Sequence, residues 1–105
     1  MNDAKCVLGL PKTVFDVVSA ICADYDRRKN VSFTEPVLKK CNELNHIVDD
    51  ALLVVDVGLR GIILEDVKAN HGYRYSMAST MCSPKYYYKT KRMFVKKIAQ
   101  DMYLI

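Results

Sequence analysis

Four cations near the C-terminus, Lys85, Lys89, Arg92 and Lys96, recur at i, i+4, i+7 and i+11. On an α-helix that spacing places them within one narrow stripe. Like charges in line repel one another, so a polyanionic partner such as nucleic acid would account for the row. A solvated basic face is the plainer explanation, and the residues ahead of the stripe favour the first. Tyr75 to Pro84 reads as a short helix, a turn of three or four residues, and a second helix start. Ser83 is placed to cap that second helix and Pro84 stands at its first position. Ala78 is small enough to let two helices cross closely. In a helix-turn-helix the first residues of the second helix meet base edges in the major groove. That assigns Lys85, Tyr86 and Lys89 to bases, and Arg92 and Lys96 to phosphates. Arg74, ahead of the second helix, and Lys97, beside Lys96, complete the expected contact set for nucleic acid or another partner.

Other reactive side chains are poorly arranged for catalysis. His46 and His71 fall at no metal-ligand spacing such as HExxH. Cys41 and His46 stand five apart, a poor separation for chelation from one helix face. Cys82 precedes a helix N-terminus, where a thiolate is favoured, but no base is identifiable beside it and it reads as a small turn residue. Asp49-Asp50 and Glu65-Asp66 are adjacent, so on a helix each pair diverges by about 100° and makes no carboxylate dyad. No glycine-rich phosphate cradle exists among four glycines. The expectation is a binding protein without catalytic residues, metal or cofactor.

The elements that must position the stripe follow from the apolar pattern. Half of the 105 residues are hydrophobic and seven are Gly or Pro, a composition for one folded domain. Pro11 opens a first helix over about 12–29, with Val14, Val17, Val18, Ile21, Cys22 and Tyr25 at helical spacing. Thr34-Glu35-Pro36 starts a long helical segment, 34–69, whose seam is Cys41, Leu44, Val48, Ala51 and Val55. That seam can pack within the domain or across a homodimer. Residues 52–67 read as helix or as two strands round Gly58-Leu59-Arg60-Gly61, and the shared face of 52, 55, 59, 62 and 63 favours helix. Gly58 and Gly61 then mark a bend or a close helix contact, and Asp56 can pair with Arg60 one turn on. Asn70-His71-Gly72 is a stop with Gly72 as the C-cap. The last helix runs to about Met102, with Tyr87, Phe94, Val95, Ile98 and Met102 opposite the cations. The pattern predicts an all-α single domain of about five helices, with a helix-turn-helix-like unit over 73–105 and a long basic last helix.

Charge is divided unevenly along the chain. Residues 1–56 hold nine acids and seven bases, whereas residues 57–105 hold three acids and nine bases, for a net +4 overall. The basic surplus lies in the half that carries the stripe. The four cysteines, Cys6, Cys22, Cys41 and Cys82, are too scattered for a disulfide framework or a zinc knuckle, as expected in a reducing cytoplasm. No apolar leader follows Met1-Asn2-Asp3. The run Ala51 to Leu64 is broken by Asp56 and Arg60 and falls short of the roughly 20 residues that span a bilayer. The amphipathic last helix needs its apolar face for the core, so no membrane partner is expected.

Tyr75-Ser76, Cys82-Ser83, Tyr86-Tyr87-Tyr88, Lys91-Arg92 and Phe94-Val95-Lys96-Lys97-Ile98-Ala99 resemble the C-terminal part of small phage and prophage transcription regulators of the ArpU/RinA type. Leu10 to Arg28, with Asp24-Tyr25-Asp26-Arg27-Arg28, resembles their N-terminal helix. The resemblance covers the last third of the chain and that one segment. It implies a helix-turn-helix like the promoter-binding domain of sigma factors, hence a DNA-binding regulator in the host cytoplasm. The turn has Met81-Cys82 where such proteins carry glycine. The alternative is a mobile-element inhibitor of the anti-CRISPR type. Its cations would meet an anionic groove of a host nucleic-acid enzyme, such as the guide and target channel of a Cas nuclease.

Overall fold

The computed structural model describes residues 8–30 and 34–105. Its elements are α1 (Lys12–Ala23), α2 (Tyr25–Asn30), α3 (Glu35–Leu52), α4 (Arg60–Ala69) and α5 (Pro84–Asp101). Three short 3-10 turns, Val57–Leu59, Tyr73–Tyr75 and Met77–Thr80, lie between them, and the described residues contain no strand. Over the described residues the chain is therefore all-α with five helices, as the periodicity predicts. No helix among the described residues is long and apolar enough to cross a membrane. Cys6 lies outside the described residues, and Cys22, Cys41 and Cys82 are free thiols.

The expected first helix is two helices, broken at Asp24 (φ −93°, ψ 2°). The Asp24 carboxylate holds Arg27 at 2.5 and 2.6 Å. Arg28, four residues past the break, turns inward. Its Nη2 reaches back to the Ile21 carbonyl at 2.7 Å and its Nε donates to Asn45 Oδ1 at 2.6 Å. A buried guanidinium needs such partners, and meeting them reorients the chain after α1. Asn45 Nδ2 donates in turn to the Tyr25 carbonyl at 3.3 Å, fastening α2 to α3.

The long segment over 34–69 is also two helices. α3 stops at Leu52, and Asp56 adopts an extended backbone (φ −53°, ψ 137°) before the 3-10 turn leads into α4. Neither one continuous helix nor a strand pair describes 52–67. The predicted Asp56–Arg60 pair does not form: Arg60 Nε donates to the Val55 carbonyl at 2.8 Å, while Asp56 accepts from the Tyr86 hydroxyl. A Cβ at Gly58 or Gly61 would meet no atom within 4 Å, so these glycines permit no close helix contact. The break turns α4 back against α1, where Ser19 Oγ donates to the Val67 carbonyl at 2.7 Å. Cys41, Val48, Ala51 and Val55 are buried, so the predicted seam is used inside the chain.

Both α4 and α5 end on a left-handed residue that is not glycine. Asn70 (φ 57°) caps α4, with the His71 N–H returning to the Asp66 carbonyl at 2.8 Å. Asparagine tolerates this backbone better than most residues. Gly72, the expected cap, is instead extended (ψ 177°) and leaves room for Tyr88, whose hydroxyl would stand 3.3 Å from a Cβ there. Exposed Tyr103 (φ 59°) plays the corresponding part after α5.

Three buried acids of the core make stability fall in alkali. Burial pushes the Cys22 thiol from its ordinary 9.0 to about 12. Burial, reinforced by the hydrogen bond to Asp49, pushes Tyr25 from 10.0 to about 12. Burial and Asp66 likewise raise Tyr87. Each keeps its proton in the folded chain above the pH at which the unfolded chain releases it. Stability is therefore full below the unfolded values and declines as pH rises between about 9 and 12. Urea midpoints measured across pH ~8 to ~11 should fall steadily, and a flat profile contradicts the burial.

Candidate nucleic-acid interface

α5 begins on the Ser83 cap, whose Oγ accepts the Tyr86 N–H at 3.2 Å, with Pro84 opening the first turn. Its inner face is Tyr87, Phe94, Val95, Ile98 and Ala99, all with no exposed surface. That face fixes the rotation of the helix, and the opposite stripe is turned outward. Lys85, Lys89 and Arg92 are exposed and Lys96 is half-buried. Lys85, Lys89 and Lys96 have no ion-pair or hydrogen-bond partner among the described residues. Arg92 remains on the surface, but its Nε donates to the Leu8 carbonyl at 3.0 Å and ties α5 to the start of the described chain. Next to Leu8, Gly9 adopts a left-handed backbone (φ 74°) that glycine takes without strain.

Three other expected contact residues are placed differently. Tyr86 is partly exposed, yet its hydroxyl is drawn to the Asp56 carboxylate, which raises its pKa. It is bound to the α3–α4 turn rather than aimed outward. Lys97 is half-buried and pairs with Asp101 at 3.0 Å, one turn further along α5. Arg74 is exposed, with its guanidinium 5.9 Å from the Tyr75 ring centroid. The stripe thus brings four of the seven together as one row, and three of those four are unpaired among the described residues.

The first arm of the expected helix-turn-helix is a four-residue 3-10 turn, Met77–Thr80, and not an α-helix. Only six residues separate the caps Ser76 and Ser83, and the bonds close at i+3, as in Met81 N–H to the Ala78 carbonyl at 2.9 Å. Tyr73 then takes the Ser79 and Cys82 carbonyls with its hydroxyl, at 3.1 and 2.5 Å, which binds the turn into a compact loop. Ala78 is fully buried, as its small size suggested.

A buried polar knot that the sequence left unread locks this loop to α5. Asp66, 5% exposed, accepts from Ser76 Oγ at 2.5 Å and from the Tyr87 hydroxyl at 2.9 Å. Lys91, 2% exposed, donates from Nζ to the His71 carbonyl at 2.6 Å and lies over the Tyr87 ring. One cation of α5 is therefore structural. The same knot holds the N-terminal half of the stripe in a fixed orientation.

Two open hollows flank these elements. One of about 550 Å³ runs along the first half of α3, between Glu35, Leu38, Lys39, Asn42, Glu43 and His46. Its charges are mixed, and His46 lies 3.3 Å from Asp50. The other, about 250 Å³, is lined by Val54, Met93, Lys96, Lys97 and Gln100 beside the stripe. Sequence reasoning missed this second hollow because Val54 and Met93 are 39 residues apart and a lone methionine carries no signal. Among the described residues no three His, Cys, Asp or Glu side chains are grouped to hold a metal ion. No family model, curated protein or solved structure matches the chain.

Proposed function

We propose that this protein binds nucleic acid, DNA in the first place, through the outward stripe of α5, and acts as a small non-catalytic regulator of the phage type. The observation that carries this reading is the row of Lys85, Lys89 and Lys96. These three cations are aligned and unpaired among the described residues, on a helix whose other face is fully buried. Such a row loses self-repulsion and releases counterions when it meets a phosphate backbone. Contact is mainly with phosphates: the Tyr86 hydroxyl is engaged by Asp56, leaving Lys85 and Lys89 of the three residues expected at base edges. The resemblance to ArpU/RinA-type regulators points the same way.

Fluorescence anisotropy with a labelled 20-base-pair duplex, repeated over a range of salt, tests the proposal. With three to four phosphates neutralised, log Kobs should fall against log salt with a slope of about −3 to −4. Absence of binding at low salt overturns the reading.

A second reading is favoured by the apolar side chains beside the stripe, Val54 and Met93, both partly exposed. A surface of that composition suits an inhibitor of the anti-CRISPR type, seated on a host nucleoprotein enzyme such as a Cas nuclease. A stoichiometric complex with that enzyme, retained after nuclease treatment, would select this reading over the first.

A further inference from the structure

The hollow between the α3–α4 turn and α5 has a chemistry distinct from the stripe. Its apolar walls are Val54, 39% exposed, from the turn, and Met93, 43% exposed, from α5. Leu53 and Val57, on the same turn, are 68% and 77% exposed. The turn is held beside α5 by the Tyr86–Asp56 hydrogen bond, so the hollow is part of the folded surface. Lys96, unpaired among the described residues, and Gln100 stand at its rim with Lys97, whose charge is met by Asp101 at 3.0 Å, and no carboxylate is among the lining residues.

We infer that this hollow docks an acidic, amphipathic segment of a protein partner: an apolar side chain seated between Val54 and Met93, with a flanking carboxylate on Lys96. The aliphatic walls decide against a nucleobase. They offer no aromatic face for the stacking on which unpaired bases rely, and a duplex exposes no side chain to fill the gap. A leucine or phenylalanine fits such walls, and Met93 adapts its shape to either. The cationic rim selects the acidic flank, and Gln100 can meet a backbone amide of the segment. A second copy of this chain is the poorer occupant, because the row Lys85, Lys89 and Lys96 repels itself across any symmetric contact made on this face. The site shares Lys96 with the stripe but adds Val54, Met93 and Gln100, which the nucleic-acid reading does not use.

The test titrates the ¹⁵N-labelled full chain with a synthetic acidic helix carrying two leucines on one face and glutamates beside them. Two control peptides replace the leucines by serine or the glutamates by lysine. Shifts should concentrate at Val54, Met93, Lys96, Lys97 and Gln100, and both controls should bind at least about tenfold more weakly. The double variant Val54→Ser with Met93→Ser replaces two partly exposed side chains outside the buried core cluster, and its folding is checked by circular dichroism. It should weaken the acidic peptide by about tenfold while leaving duplex DNA binding within about twofold. Equal binding of the serine control, shifts elsewhere, or an unchanged affinity of the double variant overturns the inference. So does self-association that fills the hollow without peptide. Loss of DNA binding in the variant Lys85→Glu with Lys89→Glu, neither of which lines the hollow, with peptide binding intact, would separate the two surfaces.

Discussion

Truncating Phe94 to alanine lowers the free energy of unfolding by about 3–5 kcal/mol, the range measured for buried aromatic truncations. Phe94 has no exposed surface and sits at the centre of the inner face of α5, between Tyr87, Val95 and Ile98. Its ring belongs to the same buried cluster as Phe15 and Val18 of α1, Val48 of α3 and Ile63 of α4. Removing it leaves a void that these rigid neighbours cannot close, because three of the four are β-branched. A domain of this size has about 5–15 kcal/mol of stability in total, so the loss takes a large fraction of it. Chemical denaturation monitored by circular dichroism measures the loss. A cost below about 1 kcal/mol would mean that α5 is rotated and that the cation stripe does not face outward.

The second large effect concerns binding. Replacing Lys85, Lys89 and Lys96 together by glutamate should weaken duplex DNA binding at least about 100-fold at low salt. Each replacement removes a cation and adds an anion to the same row. Arg92 is left in place because its Nε holds the Leu8 carbonyl, so its loss would disturb packing as well as charge. The three lysines have no such contacts among the described residues. Glutamate at position 85, in the first turn of α5, also suits the positive end of the helix dipole better than lysine does. The thermal midpoint should therefore stay close to that of the parent chain. A folded triple variant that binds duplex within about twofold of the parent removes the stripe from the mechanism.

How much of this could be read from the residues depended on the range of the interaction. The outward row of α5 was legible because it repeats at helical spacing, and a period of 3.6 is a property of the backbone alone. The Ser83 cap and Pro84 were legible for the same local reason. The break at Asp24 was not. It coincides with Arg28 finding Asn45, seventeen residues on, which no short-range pattern announces. The α4 stop fell to Asn70, while Gly72 is extended and lies against the hydroxyl of Tyr88, sixteen residues later, a contact no local pattern announces.

The candidate site divides along the same line. Lys85, Lys89, Arg92 and Lys96 were legible as a set, whereas Tyr86, Lys97 and Lys91 look equally available in the sequence. Tyr86 is engaged by Asp56, thirty residues away, and Lys91 is buried against the His71 carbonyl. The hollow between Val54 and Met93 has no sequence signature, since it exists only where the α3–α4 turn meets α5.

By itself, then, the sequence determined an all-α chain, the limits of its last helix and a row of four cations opposite an apolar face. These follow from local periodicity and capping, in which each residue answers to neighbours three or four positions away. Only the tertiary structure decided where the two longer segments break, which cations stay on the surface and which polar groups are consumed in holding the fold. Burial forces every donor and acceptor to find a partner, and in a folded chain those partners lie wherever packing brings them.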